Sequence, residues 1–215
     1  RYSGMSRRSE DRWQKVTGGA GQQSTLLAVG DPVEAYAVVS LTDGAWSDER
    51  VRELVWATPA GYRGILAVLA RLTINRQAIT WDEPIDGPFR WAWGDQGVLF
   101  RLARPPMYRV VDVPAALCQL RPTGEGSFRL AVRDESIPAN QGPWLVEFGE
   151  GEVRVSPTET ADVRIDVEHL VQALLGEPSF RELAAQGLAE VDEPAVQSAA
   201  ERMLPPRATY CLEEF

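Results

Sequence analysis

The chain has 215 residues, of which 44% are hydrophobic and 25% charged, and its formal net charge is −9 at pH 7. This composition is typical of a globular protein with one large domain or two modest ones. The negative charge argues against a face that binds nucleic acid or an anionic membrane, and it mildly favours cationic small molecules or basic peptides as ligands.

Residues 1–105 show the pattern of a mixed sheet with helices. A Ser-capped, charged stretch at 6–16 predicts a surface helix, and two β-rich runs separated by an Asp-Pro pair predict a hairpin. The helix predicted over 58–76 has Thr58 as its N-cap, proline at its first position, and leucine and isoleucine on one face. The strands predicted for this half are 24–30, 33–41, 51–57, 78–82 and 98–103.

Residues 106–215 form a second predicted domain, because the pattern changes near residue 105. A strand, a helix opened by Asp112 and Pro114, and a loop follow one another in the segment 104–126. Strands separated by turns then predict a meander, and a further strand leads into an amphipathic helix. The strands predicted are 127–134, 143–151, 152–158 and the start of 162–177, and the helices are the rest of 162–177, 179–187 and 193–204. The two domains together predict an α+β fold.

The sequence further predicts a soluble, cytoplasmic protein. No apolar run approaches the roughly 20 residues needed to span a bilayer, and no charged-then-apolar signal opens the chain. The two cysteines, Cys118 and Cys211, are too few for a disulfide framework and lack metal-ligand spacing, so a reducing compartment is the default. The pattern leaves open a bridge between the two thiols.

Most residue types that carry chemistry lack the partners they need. The sole histidine, His169, lies off the apolar stripe of its helix, without a Ser, Cys or metal-ligand cluster spaced to work with it, so no metal site is predicted. The Gly-rich stretch 17–24 lacks the lysine and the helix of a P-loop and is read as a loop. The aromatic stretch 89–96 can stack a ligand, but closely spaced Trp and Phe beside strands more often pack against each other.

A stronger candidate is TPAGYRGIL, where a predicted strand ends just before a helix that carries glycines. Backbone N–H groups at such a helix start can bind a pyrophosphate. An acetyl-CoA loop of the N-acetyltransferase type needs Gln or Arg, two residues, Gly, one residue, and then Gly or Ala. The nearest alignment gives Thr58, Gly61 and Arg63, and the Arg63 side chain falls where the phosphates need open backbone. The sequence therefore predicts the right architecture with an inactive loop.

Several strings, taken in order along the chain, resemble one family. They are GMSRRSEDRW, VRELVWATPAGYRGILAVL, PIDGPFRW, YRVVDVPAALCQL, FRLAVRDE, ADVRIDVEHLVQALLG and a final EEF. This order resembles the Eis-type (enhanced intracellular survival) N-acetyltransferases along nearly the whole chain. VRELVWATPAG and VVDVPAALC are the most specific of these strings.

The resemblance implies a fold and a division of labour. The family has an N-terminal acetyltransferase (GNAT) domain that binds acetyl-CoA, a second GNAT-like domain whose cofactor loop has decayed, and a C-terminal domain with the sterol carrier protein fold. This sequence resembles the last two, so 1–105 is expected to be the degenerate GNAT-like domain and 106–215 the sterol-carrier-like domain. We expect acetyl-CoA to be the cofactor of the full-length protein and this chain alone to bind no cofactor and to be inactive.

The resemblance also implies a catalytic role for the end of the chain. In the family the C-terminal carboxylate, here that of Phe215, enters the active site of the N-terminal domain and acts as the general base for the incoming amine. Glu214 matches an acidic pocket position and is expected to hold a cationic acceptor, such as an aminoglycoside, a lysine side chain or a polyamine. The Phe215 ring is expected to pin the terminus in place.

Two other functions stay open. The sterol carrier protein fold is compatible with a module that binds a lipid or another apolar ligand, although fold analogy alone supports this. The second alternative is a structural role in oligomerisation. Since relatives commonly form hexamers, we expect a homo-oligomer as well as an interaction with the missing N-terminal domain.

Overall fold

The structure, a computed structural model, describes residues 7–17, 24–40, 47–93, 98–102 and 106–211. These residues fall into two compact units, one within 7–98 and one within 99–211. Each unit has its own sheet and its own hydrophobic core. The boundary predicted from the sequence lies near residue 105.

The unit within 7–98 is built around a four-stranded sheet. Its described elements are helix α1 (Glu10–Thr17), strands β1 (Ser24–Val29), β2 (Ala35–Ser40) and β3 (Asp48–Trp56), helix α2 (Pro59–Leu72), strand β4 (Ala78–Thr80) and the short helix α3 (Phe89–Ala92). The strand order follows the chain; β1, β2 and β3 are antiparallel, and β4 lies parallel to β3. The predicted hairpin is therefore confirmed as β1 and β2.

Helix α2 begins where its sequence predicts. The Thr58 hydroxyl accepts a hydrogen bond from the Gly61 N–H at 2.9 Å, and Pro59 is the first helical residue, where no N–H is required. Ile65 and Leu69 are buried on the inner face of the helix against the sheet. The core of the unit also contains Ala35, Ala37, Val39, Val51, Leu54 and Tyr62. Burial of each large aliphatic side chain contributes about 1.5–3 kcal/mol.

A buried ion pair holds the start of the described chain against β3. The Arg8 guanidinium lies 2.6 Å from a Glu53 carboxylate oxygen, and the two side chains are only 8% and 3% exposed. Glu53 also accepts a hydrogen bond from the Tyr36 hydroxyl, and the Arg8 guanidinium stacks over the Trp13 ring at 4.9 Å. Burial, followed by the hydrogen bond to Glu53, raises the pKa of Tyr36. The hydroxyl therefore stays protonated and donates to the carboxylate.

The unit within 99–211 has a five-stranded sheet with helices on one face. Its described elements are helix α4 (Val113–Cys118), strand β5 (Gly126–Arg133), a 3₁₀ turn (Pro138–Asn140), strands β6 (Trp144–Gly149), β7 (Glu152–Pro157) and β8 (Val163–Asp166), helices α5 (Val167–Leu175) and α6 (Phe180–Ala185), strand β9 (Ala189–Val191) and helix α7 (Pro194–Met203). The strand order is β7-β6-β5-β8-β9, and within it only β5 and β8 are parallel.

The core of this second unit lies between the sheet and its helices. Alternate residues of β5 point inward, so that Phe128, Leu130 and Val132 are buried while the residues between them are not. The helices contribute most of the remaining core side chains, among them Leu117, Leu170, Phe180, Leu183, Ala200 and Met203. Helix α6 begins with a complete capping box between Ser179 and Glu182. The predicted meander and the predicted helices of this half are confirmed.

Three expectations from the sequence are wrong. No strand forms in the described parts of 98–103, where Leu99 is 92% and Leu102 is 82% exposed, nor before Asp112. An apolar run becomes a strand only where a neighbouring strand supplies hydrogen bonds, and periodicity does not show whether one is present. Helix α2 ends at Leu72 rather than at residue 76, because Thr73 caps it through both its N–H and its hydroxyl on the Leu69 carbonyl. The short elements β9 and α3 were not predicted.

The structure also bears on the two cysteines and on membrane-spanning helices. Cys118 and Cys211 are both free thiols, so no bridge joins them. Among the described helices, none combines the length and the apolar character that crossing a bilayer requires.

A buried polar cluster ties the segment before α4 to the sheet. The Asp134 carboxylate, in a residue only 1% exposed, accepts hydrogen bonds from the Asn140 amide at 2.9 Å and from the Arg109 guanidinium at 2.5 Å. The Asn140 side-chain oxygen in turn accepts from the Val113 N–H at the start of α4. Burial alone would raise the pKa of Asp134, but the bonds from Asn140, the Ile137 N–H and Arg109 outweigh it and hold the pKa at about 2.

The Asp134→Asn variant should lose a pH-dependent part of its stability. Because the folded-state pKa of Asp134 is about 2 and an unfolded Asp titrates near about 4, the carboxylate stabilises the fold fully above about pH 4. This contribution disappears as the pH falls towards about 2. In urea unfolding, the gap in unfolding free energy between wild type and variant should be largest near neutral pH and should close on acidification. A gap that stays constant with pH would contradict this role; Asp192→Asn, at a half-exposed ion pair with Arg164, is the matched control.

Candidate functional site

The residues assigned a role from the sequence, Glu214 and Phe215, lie outside the described residues. The chain is described up to Cys211. What the structure does show is how the segment just before them is held, and what surrounds the start of α2.

The segment after α7 is anchored at the end of α5. The Arg207 N–H donates to the Gly176 carbonyl at 3.1 Å, and the Thr209 N–H donates to a Glu177 carboxylate oxygen at 2.8 Å. Gly176 ends α5 with φ +90°, and a Cβ at this position would lie 2.5 Å from the Arg207 nitrogen. Both the left-handed backbone and the close approach therefore require glycine. The chain reaches Thr209 on a defined path.

Cys211 is also held within this unit. Its thiol forms a hydrogen bond with the Tyr108 hydroxyl, and burial followed by this bond raises the pKa of Tyr108. Tyr108 belongs to the segment that leads into α4, so the beginning and the end of the described part of the unit meet here. The last described residue is thus not a free end.

At the start of α2, three of the first four backbone positions offer no donor to a ligand. Pro59 has no N–H, the Gly61 N–H donates to the Thr58 hydroxyl, and the Tyr62 N–H donates to the Thr58 carbonyl at 3.0 Å. A helix start that binds phosphate presents these groups to the anion. Here they are used within the chain.

A carboxylate of the chain itself stands beside this helix start. Glu34 follows the β1–β2 turn, and a carboxylate oxygen accepts a hydrogen bond from the Thr58 hydroxyl at 2.6 Å. Its backbone is fixed on both sides, because its N–H donates to the Val29 carbonyl and its own carbonyl accepts from the Ala57 N–H at 2.8 and 2.7 Å. A negative charge at a helix N-terminus is stabilising, so Glu34 takes the place that favours an anion.

These residues do not fit a bound pyrophosphate. A phosphate at the start of α2 would meet the Glu34 carboxylate and would find the Gly61 and Tyr62 donors already engaged. Gly61 is not open backbone either, since a Cβ there would lie 2.7 Å from the Glu34 carbonyl oxygen. The glycine serves close packing of α2 on the strand behind it. The inactive loop expected from Thr58, Gly61 and Arg63 stays a prediction.

Two glycines of α2 should respond in opposite ways to alanine. Gly61→Ala should cost about 1–3 kcal/mol, because its Cβ meets the fixed Glu34 backbone at 2.7 Å. Gly64→Ala should instead stabilise by about 0.5–1 kcal/mol, since its Cβ meets Val29 at an ordinary 3.5 Å and alanine is the better helix former. Chemical denaturation of both variants tests this, and equal effects of the two would rule out close packing at Gly61.

The aromatic stretch packs around one carboxylate. Glu83 accepts hydrogen bonds from the Tyr62 hydroxyl, the Trp81 indole N–H and the Phe89 N–H at 2.9, 3.0 and 2.9 Å. The Phe89 ring lies 4.8 Å from that of Trp81 and 5.3 Å from that of Trp93. Burial, followed by the bond to Glu83, raises the pKa of Tyr62. The ring contacts agree with packing, the role that the sequence favours; residues 94–96 lie outside the described residues.

His169 lies near two carboxylates, although the sequence predicts no metal-ligand cluster around it. It sits in the first turn of α5 beside a cavity of about 180 Å³, which Arg133, Asp166 and Glu190 also line. Ligand atoms of Asp166, Glu168 and His169 all lie within 4.8 Å of one another. The string DVEH did carry this signal, but it looks the same as the acidic first turn of any helix.

Two family models match the chain, one after the other. Residues 4–110 match the acetyltransferase (GNAT) domain, and residues 113–212 match the sterol carrier protein domain. These matches confirm the fold class that the resemblance implies.

Relatives point the same way. The chain is 26% identical to an uncharacterized N-acetyltransferase of Streptomyces griseus, and the match covers 100% of this chain but 56% of the relative. The chain thus spans little more than half the length of this curated relative.

Solved structures share the fold. A probable N-acyltransferase from Enterococcus faecalis superposes with a TM-score of 0.85 over 99% of this chain and 55% of that one, at 17% identity. Eis1 from Mycobacterium abscessus gives a TM-score of 0.71 over 94% of this chain and 53% of that one, at 22% identity. At these identities the likeness shows the fold alone.

Proposed function

We propose, from the premise that this chain joins an acetyltransferase (GNAT) domain to a sterol carrier protein domain, that it is the C-terminal part of an acetyl-CoA-dependent N-acetyltransferase that acts on amines. In this proposal the cofactor binds to a further acetyltransferase domain, which the greater length of the Streptomyces relative accommodates. The present chain contributes the base and part of the acceptor pocket.

The observation that carries the proposal is the Glu34 carboxylate at the start of α2. In this proposal it occupies the helix start at which a cofactor phosphate would otherwise bind. The Thr58 hydroxyl donates to Glu34 and accepts from the Gly61 N–H. A domain that keeps the fold but fills its own phosphate position serves the reaction from outside the cofactor site. This supports the assignment of acetyl-CoA to another domain.

The chemical contribution of the chain comes from its last residues. Acetyl-CoA, when bound, supplies an activated acetyl group as a thioester. An amine that attacks it must lose a proton, and a carboxylate within hydrogen-bond reach, directly or through one water, accepts that proton. We assign this role to the α-carboxylate of Phe215. The anchoring of Arg207 and Thr209 at the end of α5 supports it, because the path of the chain towards Phe215 starts from a fixed point.

Cationic amines are the proposed acceptors. The chain carries a formal net charge of −9, and long-range attraction raises the local concentration of cations near such a surface. Glu214 is the proposed partner for a second ammonium group of the acceptor. Aminoglycosides, polyamines and lysine side chains all have this chemistry.

The experiment is an acetyl-transfer assay of the full-length protein with these three amine classes, followed through release of the coenzyme A thiol. We expect amine-dependent thiol release with at least one class. Glu34→Gln serves as a matched control and should leave the KM for acetyl-CoA unchanged, because Glu34 does not face the cofactor. Full-length protein that binds acetyl-CoA yet acetylates none of these amines would refute the proposed reaction, and a changed KM in Glu34→Gln would refute the division of labour.

A further inference from the structure

The cavity at the start of α5 holds a group of metal-ligand side chains. Strands β5 and β8 are parallel and both end there, at Arg133 and Asp166, which are register partners. Helix α5 then begins directly after Asp166 and carries Glu168 and His169 in its first turn. Their ligand atoms, one from each residue, lie within 4.8 Å of one another.

The spacing of these atoms is close to that of a shared cation. Two ligands bound to one tetrahedral zinc ion at about 2.0–2.2 Å lie about 3.4 Å apart. The His169 Nε2 atom is already 3.7 Å from a Glu168 carboxylate oxygen, and the Glu168 side chain is 76% exposed, so it can move without repacking the core. Closing the group around an ion therefore needs rotation of the exposed Glu168 side chain and a change in the Arg133 contact with Asp166.

The imidazole is oriented as a metal ligand requires. The His169 Nδ1 atom lies 3.0 Å from the Gln172 side-chain oxygen, and an amide oxygen only accepts. In the tautomer that donates from Nδ1 to this oxygen, the lone pair lies on Nε2, the atom near Glu168. Ligating histidines in proteins commonly donate their other N–H to an oxygen in this way, which fixes the tautomer and the ring.

Helix capping does not account for the orientation of the Asp166 side chain. It is the N-cap residue of α5, but its side chain accepts no capping hydrogen bond. Its Oδ1 atom is buried and accepts no hydrogen bond, although the Arg133 Nε atom lies 3.1 Å away as an ion-pair partner. The Asp166 side chain as a whole is 35% exposed, and Arg133 supplies the positive charge beside Oδ1. A metal ion would supply that charge from the other residues' side of the group.

We propose that Asp166, Glu168 and His169 bind a divalent transition-metal ion of the zinc class, with the open position facing the cavity. One imidazole and two carboxylates suit Zn²⁺ better than Mg²⁺, which prefers an all-oxygen octahedral shell and keeps its water. The two carboxylates also balance the charge of the ion. This proposal departs from the absence of a metal site expected from the sequence, and it is independent of the acetyl-transfer function.

Arg133 is the competitor within the site. Its Nε atom pairs with the same Asp166 oxygen at 3.1 Å, and its side chain is 72% exposed. The ion must displace this contact or share the carboxylate with it. Arg133→Gln should therefore bind Zn²⁺ more tightly than the wild type.

The test is a Zn²⁺ titration of the untagged chain, followed by NMR of the imidazole nitrogens. His169 is the only histidine, so every imidazole signal reports on this position. We expect a saturable, equimolar shift of Nε2 with Zn²⁺ and none with Mg²⁺. Asp166→Asn and Glu168→Gln should each weaken binding about tenfold or more, and Gln172→Leu about 10–100-fold, the range for partners that orient a ligand.

Glu190→Gln is the matched control, because it removes one negative charge from the wall of the same cavity but no ligand. Its Zn²⁺ affinity should stay close to that of the wild type. No Nε2 shift up to about 1 mM Zn²⁺, the range of weak binding, would overturn the proposal. So would equal weakening by Glu190→Gln and Asp166→Asn, which would reduce the effect to general electrostatic attraction.

Discussion

Replacing Glu53 by alanine is expected to lower the free energy of unfolding of the unit within 7–98 by about 3–5 kcal/mol, as removal of one partner of a buried ion pair does. The Arg8 guanidinium is left buried without its carboxylate, since its side chain is only 8% exposed. The Tyr36 hydroxyl loses its acceptor at the same time. Both changes remove a hydrogen bond or ion pair from a group that is at least partly buried, which costs more than the pair itself contributes.

The matched control is Asp82→Ala, which breaks an ion pair with Arg50 in the same unit. There the two side chains are 48% and 52% exposed, so the loss should stay below about 1 kcal/mol. Urea unfolding of both variants, followed by tryptophan fluorescence, measures the difference. If Glu53→Ala costs no more than Asp82→Ala, the Arg8 contact does not hold the start of the chain on β3.

Removing Phe215 from the full-length protein should lower kcat/KM about 10²–10⁴-fold, the usual contribution of a positioned general base. The deletion does not abolish the terminal carboxylate but moves it back by up to about 3.6 Å, the length of one residue. That is beyond the hydrogen-bond reach a base requires. The loss should therefore appear in kcat more than in the KM for acetyl-CoA.

Phe215→Leu is the matched variant for this experiment. It keeps the α-carboxylate at the same position in the chain and removes the ring that is expected to pin the terminus, so it should lose less activity than the deletion. Adding one residue after Phe215 should be as harmful as the deletion, because it also displaces the carboxylate. Full activity in both the shortened and the lengthened protein would exclude the terminal carboxylate as the base.

Helix α2 has one feature that the sequence predicts and one that it does not. Thr58 and Pro59 mark its start, and the structure confirms both, because N-cap chemistry is local and is written in adjacent residues. The Glu34 carboxylate beside that start could not be predicted. It comes from a position 24 residues earlier, and only the register of β2 and β3, in which Ala35 pairs with Trp56, brings it to Thr58.

Ion pairs between residues far apart in the chain could not be predicted for the same reason. Arg8 and Glu53 lie in two of the strings that carry the family resemblance, yet nothing local shows that they meet across 45 residues. The segment 98–103 shows the opposite failure, since its apolar run has strand character but Leu99 and Leu102 remain exposed. Local patterns report propensity, whereas pairing depends on what the rest of the chain supplies.

The proposal that acetyl-CoA binds to another domain can be tested by measuring the stoichiometry of acetyl-CoA binding. Calorimetric titration of residues 1–215 alone should give no saturable binding, whereas the full-length protein should bind one acetyl-CoA per chain. The reason is the Glu34 carboxylate, which stands with Thr58 at the start of α2. Saturable, equimolar binding of acetyl-CoA to residues 1–215 would contradict this proposal, because the cofactor site would then lie in the acetyltransferase domain of this chain.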